Sequence, residues 1–429
     1  MKTGGRLSAA IEVLEDILAR HRPASTALAD WARSHRFAGS SDRAAIGNLV
    51  YDALRRKNSL SFLMNDDSPR ALVLAAAGHI WKISSDEINA AAGDRFGPGV
   101  LTPAEQAGLA ASMPGDAPYY IRGDYPQWLD GLLEKGFAGE RALQGAGLAS
   151  RAPVDLRANT LKTTPEKLLS AFEKFSARPG PYVKEAIRIA APVAAGRNPN
   201  VEVEPAHAKG WFEVQDTASQ IAAALAGARP GMQVADICAG AGGKTLALAA
   251  HMKNAGQIYA HDNDKHRLRP VFERLKRAGV RNVQAIAADE PQRLDQLAGA
   301  LDVVFVDAPC SGTGSWRRKP DAKWRLRETS LNQRLSQQQQ VLEKAAKLVK
   351  PKGRIIYVTC SVLACENTEQ VDWFLARHPS FCLVPYAENW SATIAAPAPQ
   401  SADGASNTLL LTPHSHKTDG FFIAILQKR

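Results

Sequence analysis

The segment RIIYVTCSVLACEN, residues 354–367, carries a cysteine where an apolar strand should be ending. Cys360 follows Ile355 to Thr359, five residues that read as a buried parallel strand, and precedes a helix start near Asn367. A second cysteine, Cys310, lies in DAPCSGTGSWRRKPDAKWR (307–325), one turn past the apolar run LDVVFVDAP. Free cysteines are common core residues, so two of them at strand ends can be simple packing. A redox pair is the second reading, although cytosolic dithiol chemistry usually takes a Cys-x-x-Cys form, which is missing here. A strand end before a helix, in a basic region, is a setting that lowers a thiol's pKa from ~8.5, so core filler and reagent both stay open on the residues alone.

The turn DICAGAGGKT, Asp236 to Thr245, leaves an apolar strand and enters a helix. Gly240, Gly242 and Gly243 let backbone approach a ligand at the carboxyl end of the first core strand. The order is neither Gly-x-Gly-x-x-Gly nor a Walker-type loop, because Gly240 to Lys244 is one residue too short. Acids follow at successive strand ends: Asp262, which is suited to a ribose diol, then Asp289, then Asp307. Three carboxylates on the rim that carries a glycine turn favour a nucleoside-bearing cofactor over isolated helix caps.

These residues need a scaffold, and the chain from Gly231 supplies a regular alternation. QVADICA, QIYAHD, VQAIAAD, LDVVFVDAP and RIIYVTC read as strands. Helices start at Thr245, Lys265 and near Asn367, and a long one runs from Leu331 to Val349. That pattern means a parallel sheet covered on both faces. TDGFFIAILQKR closes the chain as an expected edge strand. Before it, residues 1–145 show helical spacing (Leu7, Ile11, Leu14, Leu18; Ile46, Val50, Leu54), with RALVLAAAGHIWKI as a buried third helix. Arg55, Arg56 and Lys57 close the second helix favourably for its dipole. Residues 146–213 read as a small α+β subdomain, and 214–429 as the α/β core.

The chain has 429 residues and a formal net charge of +10, which makes a polyanion the first partner to consider. Five cysteines (238, 310, 360, 365 and 382) are too few and too uneven for a disulfide framework, and no zinc-type pair occurs. Neither a signal peptide nor a run of transmembrane length is expected, so the reading is a cytoplasmic protein with free thiols and no metal.

Together, DAPCSGTGSWRRKPDAKW, YVTCSVLACEN, CAGAGGKT and VQDTASQ resemble the Nop/Sun family of RNA (cytosine-5) methyltransferases, in particular its bacterial RsmB (Sun/Fmu)-like branch. The resemblance covers about residues 150–390 and the closing TDGFF. It implies a Rossmann-like core that uses S-adenosyl-L-methionine, a small α+β subdomain and a NusB-like RNA-binding helical domain. The implied reaction is methylation of cytosine C5 in ribosomal RNA, 16S in particular, through a covalent cysteine–C6 adduct.

By the same resemblance Cys360 is the attacking thiol, Cys310 assists adduct breakdown, and Asp307 contacts the cofactor and favours protonation at cytosine N3. Lys244 reaches the base. The turn Ile237, Cys238, Ala239, Gly240, Ala241, Gly242 and Gly243, with Asp262 and Asp289, holds the cofactor; the Cys238 thiol itself is assigned to packing, as are Cys365 and Cys382. The turn departs from the family's Cys-Ala-Ala-Pro-Gly-Gly-Lys, since Ala239-Gly240-Ala241 replaces Ala-Ala-Pro. The helical region is shorter than the branch's. Arg317, Arg318, Lys319, Lys323 and Arg325 are expected to meet phosphates, with Trp316 and Trp324 stacking on bases; the alternative is two core tryptophans and a solvated charge run. The competing functions are the same chemistry on tRNA, a noncatalytic RNA-binding assembly factor, and a DNA-type enzyme in which Cys310 attacks. A monomer is the default.

Overall fold

The computed structural model describes all 429 residues, which form two compact units. The first comprises residues 1–152, 191–198 and 316–326 and is built from helices. Leu7, Leu14 and Ile17 of Thr3–Arg20 and Ile46, Val50 and Leu54 of Ser40–Arg55 enter one core, at the helical spacing their sequence shows. RALVLAAAGHIWKI forms the helix Pro69–Ala75 and then a π-helical turn, Ala76–Ile80. Residues 71–77 are all buried, as expected of a segment apolar on every side. The Ser68 hydroxyl caps it by accepting from the Ala71 amide at 3.2 Å.

Residues 316–326 overturn an expectation. They pack into this helical unit, and most of the expected RNA contacts are structural there. Lys323 is 1 % exposed, and its ammonium donates to the carbonyl oxygens of Arg55 (2.9 Å) and Asp124. The Trp324 indole donates to the Leu54 carbonyl at 2.6 Å, while Trp316 and Arg317 are buried. The Arg317 carbonyl accepts from the Arg55 guanidinium at 3.0 and 3.1 Å. Arg318 is half-buried, Arg325 pairs with Asp321 at 2.8 Å, and Lys319 is exposed. The cations reach inward because main-chain carbonyls and the Trp324 ring, 4.9 Å from the Lys323 ammonium, replace their water.

The second unit holds residues 153–190, 199–315 and 327–429, so the small subdomain and the core, separated at 213 in the sequence reading, form one body. Strands β1 (Val154–Ala158), β2 (Arg178–Pro179), β3 (Ala186–Ile189) and β4 (Phe212–Val214) make an antiparallel sheet in the order β2-β3-β1-β4, over a core of Leu156, Phe172, Ile187 and Phe212. The larger sheet contains β5 (Gln233–Asp236), β6 (Gln257–His261), β7 (Val283–Ile286), β8 (Leu301–Asp307), β9 (Val349–Thr359), β10 (Phe381–Val384), β11 (Leu409–Leu411) and β12 (Phe421–Lys428). Its order is β10-β12-β9-β8-β5-β6-β7, with β11 also paired to β12. Strands β5 to β9 run parallel, and β12 is antiparallel to β9.

The closing strand is therefore internal, not the expected edge. Phe421 to Leu426 are all buried, which suits a strand covered on both faces. The chain reverses its direction of travel between β5 and β8, the switch point where open α/β sheets leave a crevice at their carboxyl ends. No helix is long and apolar enough to cross a membrane.

Candidate active site

The carboxyl ends of β9, β8, β5 and β6 are neighbours, so Cys360, then Cys310 with Asp307, then the glycine turn, then Asp262 line one rim. Cys360 directly follows β9, and its carbonyl accepts from the Gly314 amide at 2.9 Å. Asp307 is the last residue of β8 and pairs in register with Val358. The loop that follows turns back, so that Cys310 Sγ lies 3.3 Å from Cys360 Sγ.

Buried Glu366 holds that loop. Its carboxylate accepts from the Ser311 amide (2.8 Å), the Ser311 hydroxyl (2.5 Å) and the Gln338 side-chain amide (3.1 Å), and Gln338 also donates to the Pro309 carbonyl at 2.9 Å. Thr313 and Ser361 join the two cysteine segments through their hydroxyls at 3.0 Å.

The two thiols are not equivalent. The hydrogen bond with Cys360, reinforced by burial, pushes the Cys310 thiol well above its ordinary value. Lys244 stands nearby, its ammonium 2.7 Å from Asp307 Oδ2. Burial opposes its charge, but Asp307, with a smaller contribution from Cys360, outweighs burial and raises its pKa. A cation is thus fixed beside the carboxylate and the Cys360 sulfur.

Ile237 and Ala239 extend the sheet ladders, donating to Phe305 (3.1 Å) and His261 (2.9 Å) carbonyls. Gly240 (φ +51°) donates to Asp262 Oδ2 at 2.9 Å; Gly242 has φ +83°, and a Cβ there would come within 2.5 Å of Val271. Burial pushes Asp236 up to about 7, and one of its carboxylate oxygens is buried without a partner. Burial, helped by Asp236, Asp307 and Asp262, pushes the Cys238 thiol well up, which is a packing role. Asp289 lies beyond the end of β7 and is exposed.

Two arginines grip this turn, and the sequence reading did not single them out. Arg274 Nη1 donates to the Ala241 carbonyl at 2.7 Å, and Arg157 Nη1 donates to the Gly243 carbonyl at 2.9 Å and to Gln215 Oε1 at 2.6 Å. Glu213 on β4 anchors Arg274 (2.7 Å) and Arg277 (2.6 Å). Burial pushes the Arg157 guanidinium down to about 10. Arg157 lies in the segment PVDLRANTL and Arg274 in the helix expected from Lys265 to Ala278, and neither position signals a contact with the turn.

A family model described as "16S rRNA methyltransferase RsmB/F" matches residues 223–427. The "probable ribosomal RNA small subunit methyltransferase B" of Synechocystis is 31 % identical over 310 residues, 71 % of this chain and 67 % of that protein. The ribosomal RNA small subunit methyltransferase B of Yersinia pseudotuberculosis is 30 % identical over 71 % of this chain and 66 % of its own length. The chain belongs to this family. It spans about two thirds of the length of these relatives. A solved structure, a methyltransferase homolog protein from Pyrococcus horikoshii, matches 74 % of this chain and 100 % of that one at TM-score 0.60 and 26 % identity.

The family's cofactor is S-adenosylmethionine, and the turn fits it. Glycines at 240, 242 and 243 keep side chains out of the crevice, and Asp307 and Asp262 stand at the ends of the flanking strands on that rim. Ile237 to Gly243 with Asp262, Asp289 and Asp307 would hold the cofactor.

Proposed function

We propose that the protein methylates C5 of a cytosine in small-subunit ribosomal RNA through a covalent adduct on Cys360. The Cys310–Cys360 pair, 3.3 Å apart beside Lys244 and Asp307, is the observation that carries this reading. Cytosine C5 is a poor nucleophile, and addition of the Cys360 thiolate to C6 makes it an enamine carbon. Bound S-adenosylmethionine supplies an electrophilic methyl group. Loss of the C5 proton then restores the C5–C6 double bond and expels the Cys360 thiolate, whose charge the Cys310 S–H hydrogen bond stabilises. Asp307, with Lys244 held charged beside it, balances charge at N3 as the adduct forms. Asp289, exposed just beyond the end of β7, joins Asp262 beyond the neighbouring β6 as a cofactor contact in this reading.

A base in a helix is out of reach, so the target is single-stranded or flipped, at a cost of a few kcal/mol. The same reading makes the protein a cytoplasmic monomer whose helical unit helps bind RNA. Labelled S-adenosylmethionine and RNA lacking the modification test it. Cys360→Ala should abolish labelling, and Cys310→Ala should accumulate a protein–RNA adduct. Methylation by Cys360→Ala would instead make Cys310 the attacker. Modification of tRNA alone, seen by mass mapping of RNA from a deletion strain, would move the substrate.

A further inference from the structure

With Lys323 and Arg317 buried and Trp324 half-buried, the segment 316–326 offers RNA less than its sequence suggests, and the second unit carries another basic surface. We propose that Lys265, Arg269, Phe272 and Lys276, continued by Lys162 and Lys209, form a track that holds the single-stranded flank of the target RNA. This inference rests on the RNA reading above and names the surface it uses.

After β6 the chain enters the helices Lys265–Leu268 and Val271–Ala278. Val271 and Ala278 are buried, while Lys265, Arg269, Phe272 and Lys276 follow one another at three- or four-residue spacing and are all exposed. Phe272 is 61 % exposed, so its ring is open to solvent between Arg269 and Lys276. At the far end of the second helix the Lys162 ammonium donates to the carbonyls of Arg277 (2.7 Å) and Lys209 (3.2 Å), so the stripe passes onto the small sheet. There Lys209 lies 5.0 Å from the centre of the half-buried Trp211 ring.

Ion pairing separates these cations from their neighbours. Arg274 and Arg277 are tied to Glu213, and Arg267 to Asp262. Lys265, Arg269, Lys276, Lys162 and Lys209 have no carboxylate partner, and Glu273 is the one acid on the second helix. Three cations with no carboxylate partner in one stripe with Phe272, continued by Lys162 and by Lys209 over Trp211, match phosphates with a base stacked between them. The track starts at the rim, because Asp264, next to Asp262, caps its first helix. Three interstrand steps, from β9 to β6, separate Cys360 from that start, about 14 Å at ~4.8 Å each and within reach of a few nucleotides.

The test measures binding of a single-stranded fragment of small-subunit RNA to the full chain across a salt series. Losing three phosphate contacts in Lys265→Gln/Arg269→Gln/Lys276→Gln should lower the slope of log K against log salt by about 2, at ~0.7 per contact. Phe272→Ala should weaken binding about tenfold with the slope unchanged, which separates stacking from charge. Thermal stability and S-adenosylmethionine affinity should stay at wild-type values. The charge-matched control Arg229→Gln/Lys347→Gln/Lys352→Gln should leave the slope unchanged. A wild-type slope in the triple variant, or an equal drop in the control, would overturn the track while leaving the RNA reading intact. Failure of the wild-type chain to bind RNA at all would overturn both.

Discussion

Glu366→Gln tests whether the Cys310 loop is held in place from behind. The buried carboxylate accepts three hydrogen bonds, two of them from Ser311, the residue after Cys310. Hydrogen bonds to a charged group contribute about 1.5–3 kcal/mol each. Glutamine that keeps Oε1 retains the Ser311 and Gln338 amide bonds and turns its NH2 toward the Ser311 hydroxyl, so one charge-assisted bond is lost, about 1.5–3 kcal/mol of stability. The loop then relaxes, and a displacement of ~1 Å at a reacting group costs on the order of a hundredfold in rate. Because Cys310 acts after the adduct forms, the loss should fall on adduct breakdown. In single-turnover assays read on denaturing gels, Glu366→Gln should form adduct near the wild-type rate and retain it, with cofactor affinity unchanged. Ser311→Ala, which keeps the amide bond to Glu366, should show the same defect more weakly. A Glu366→Gln protein that is less stable yet resolves its adduct at the wild-type rate would refute the reasoning.

Arg274→Gln should weaken S-adenosylmethionine binding roughly tenfold, about 1.4 kcal/mol, by freeing the Ala241 carbonyl, as calorimetry would record. Ala241→Pro in that background should restore much of the affinity, because a fixed φ stiffens the same turn. Asp262→Asn should cost ten- to a hundredfold in cofactor affinity, roughly 1–3 kcal/mol, since an amide oxygen replaces a carboxylate that accepts from both Gly240 and Asp264. Burial pushes Lys323 down to about 7 from 10.5, so the unfolded chain binds the extra proton between those values. Stability from this group is lost as pH falls from 10.5 through 7; Lys323→Met should flatten that part of a denaturation-against-pH series and leave RNA affinity unchanged.

The glycine turn, the strand–helix alternation and the placing of both cysteines at strand ends were legible because each is local: period, turn residue and cysteine lie within a few residues of one another. β12 was misjudged as an edge although FFIAIL is apolar on both faces, the mark of an internal strand. The segment 316–326 misled because charge reads as exposure, and nothing local shows that the Arg55 and Asp124 carbonyls replace solvent around Lys323. The latch and the clamps were invisible for a related reason: Glu366 meets Ser311 across 55 residues, and Arg157 meets Gly243 across 86. Such pairs arise only when the topology folds distant segments onto one rim.

The central claim is that Cys360 attacks and Cys310 releases. RNA carrying 5-fluorocytosine at the target has no C5 proton to lose, so the adduct cannot break down. Peptide mass spectrometry of the trapped species should find the nucleotide on the peptide containing Cys360, in the wild-type chain and in Cys310→Ala alike. A nucleotide on Cys310, or trapping that survives Cys360→Ala, would contradict the account.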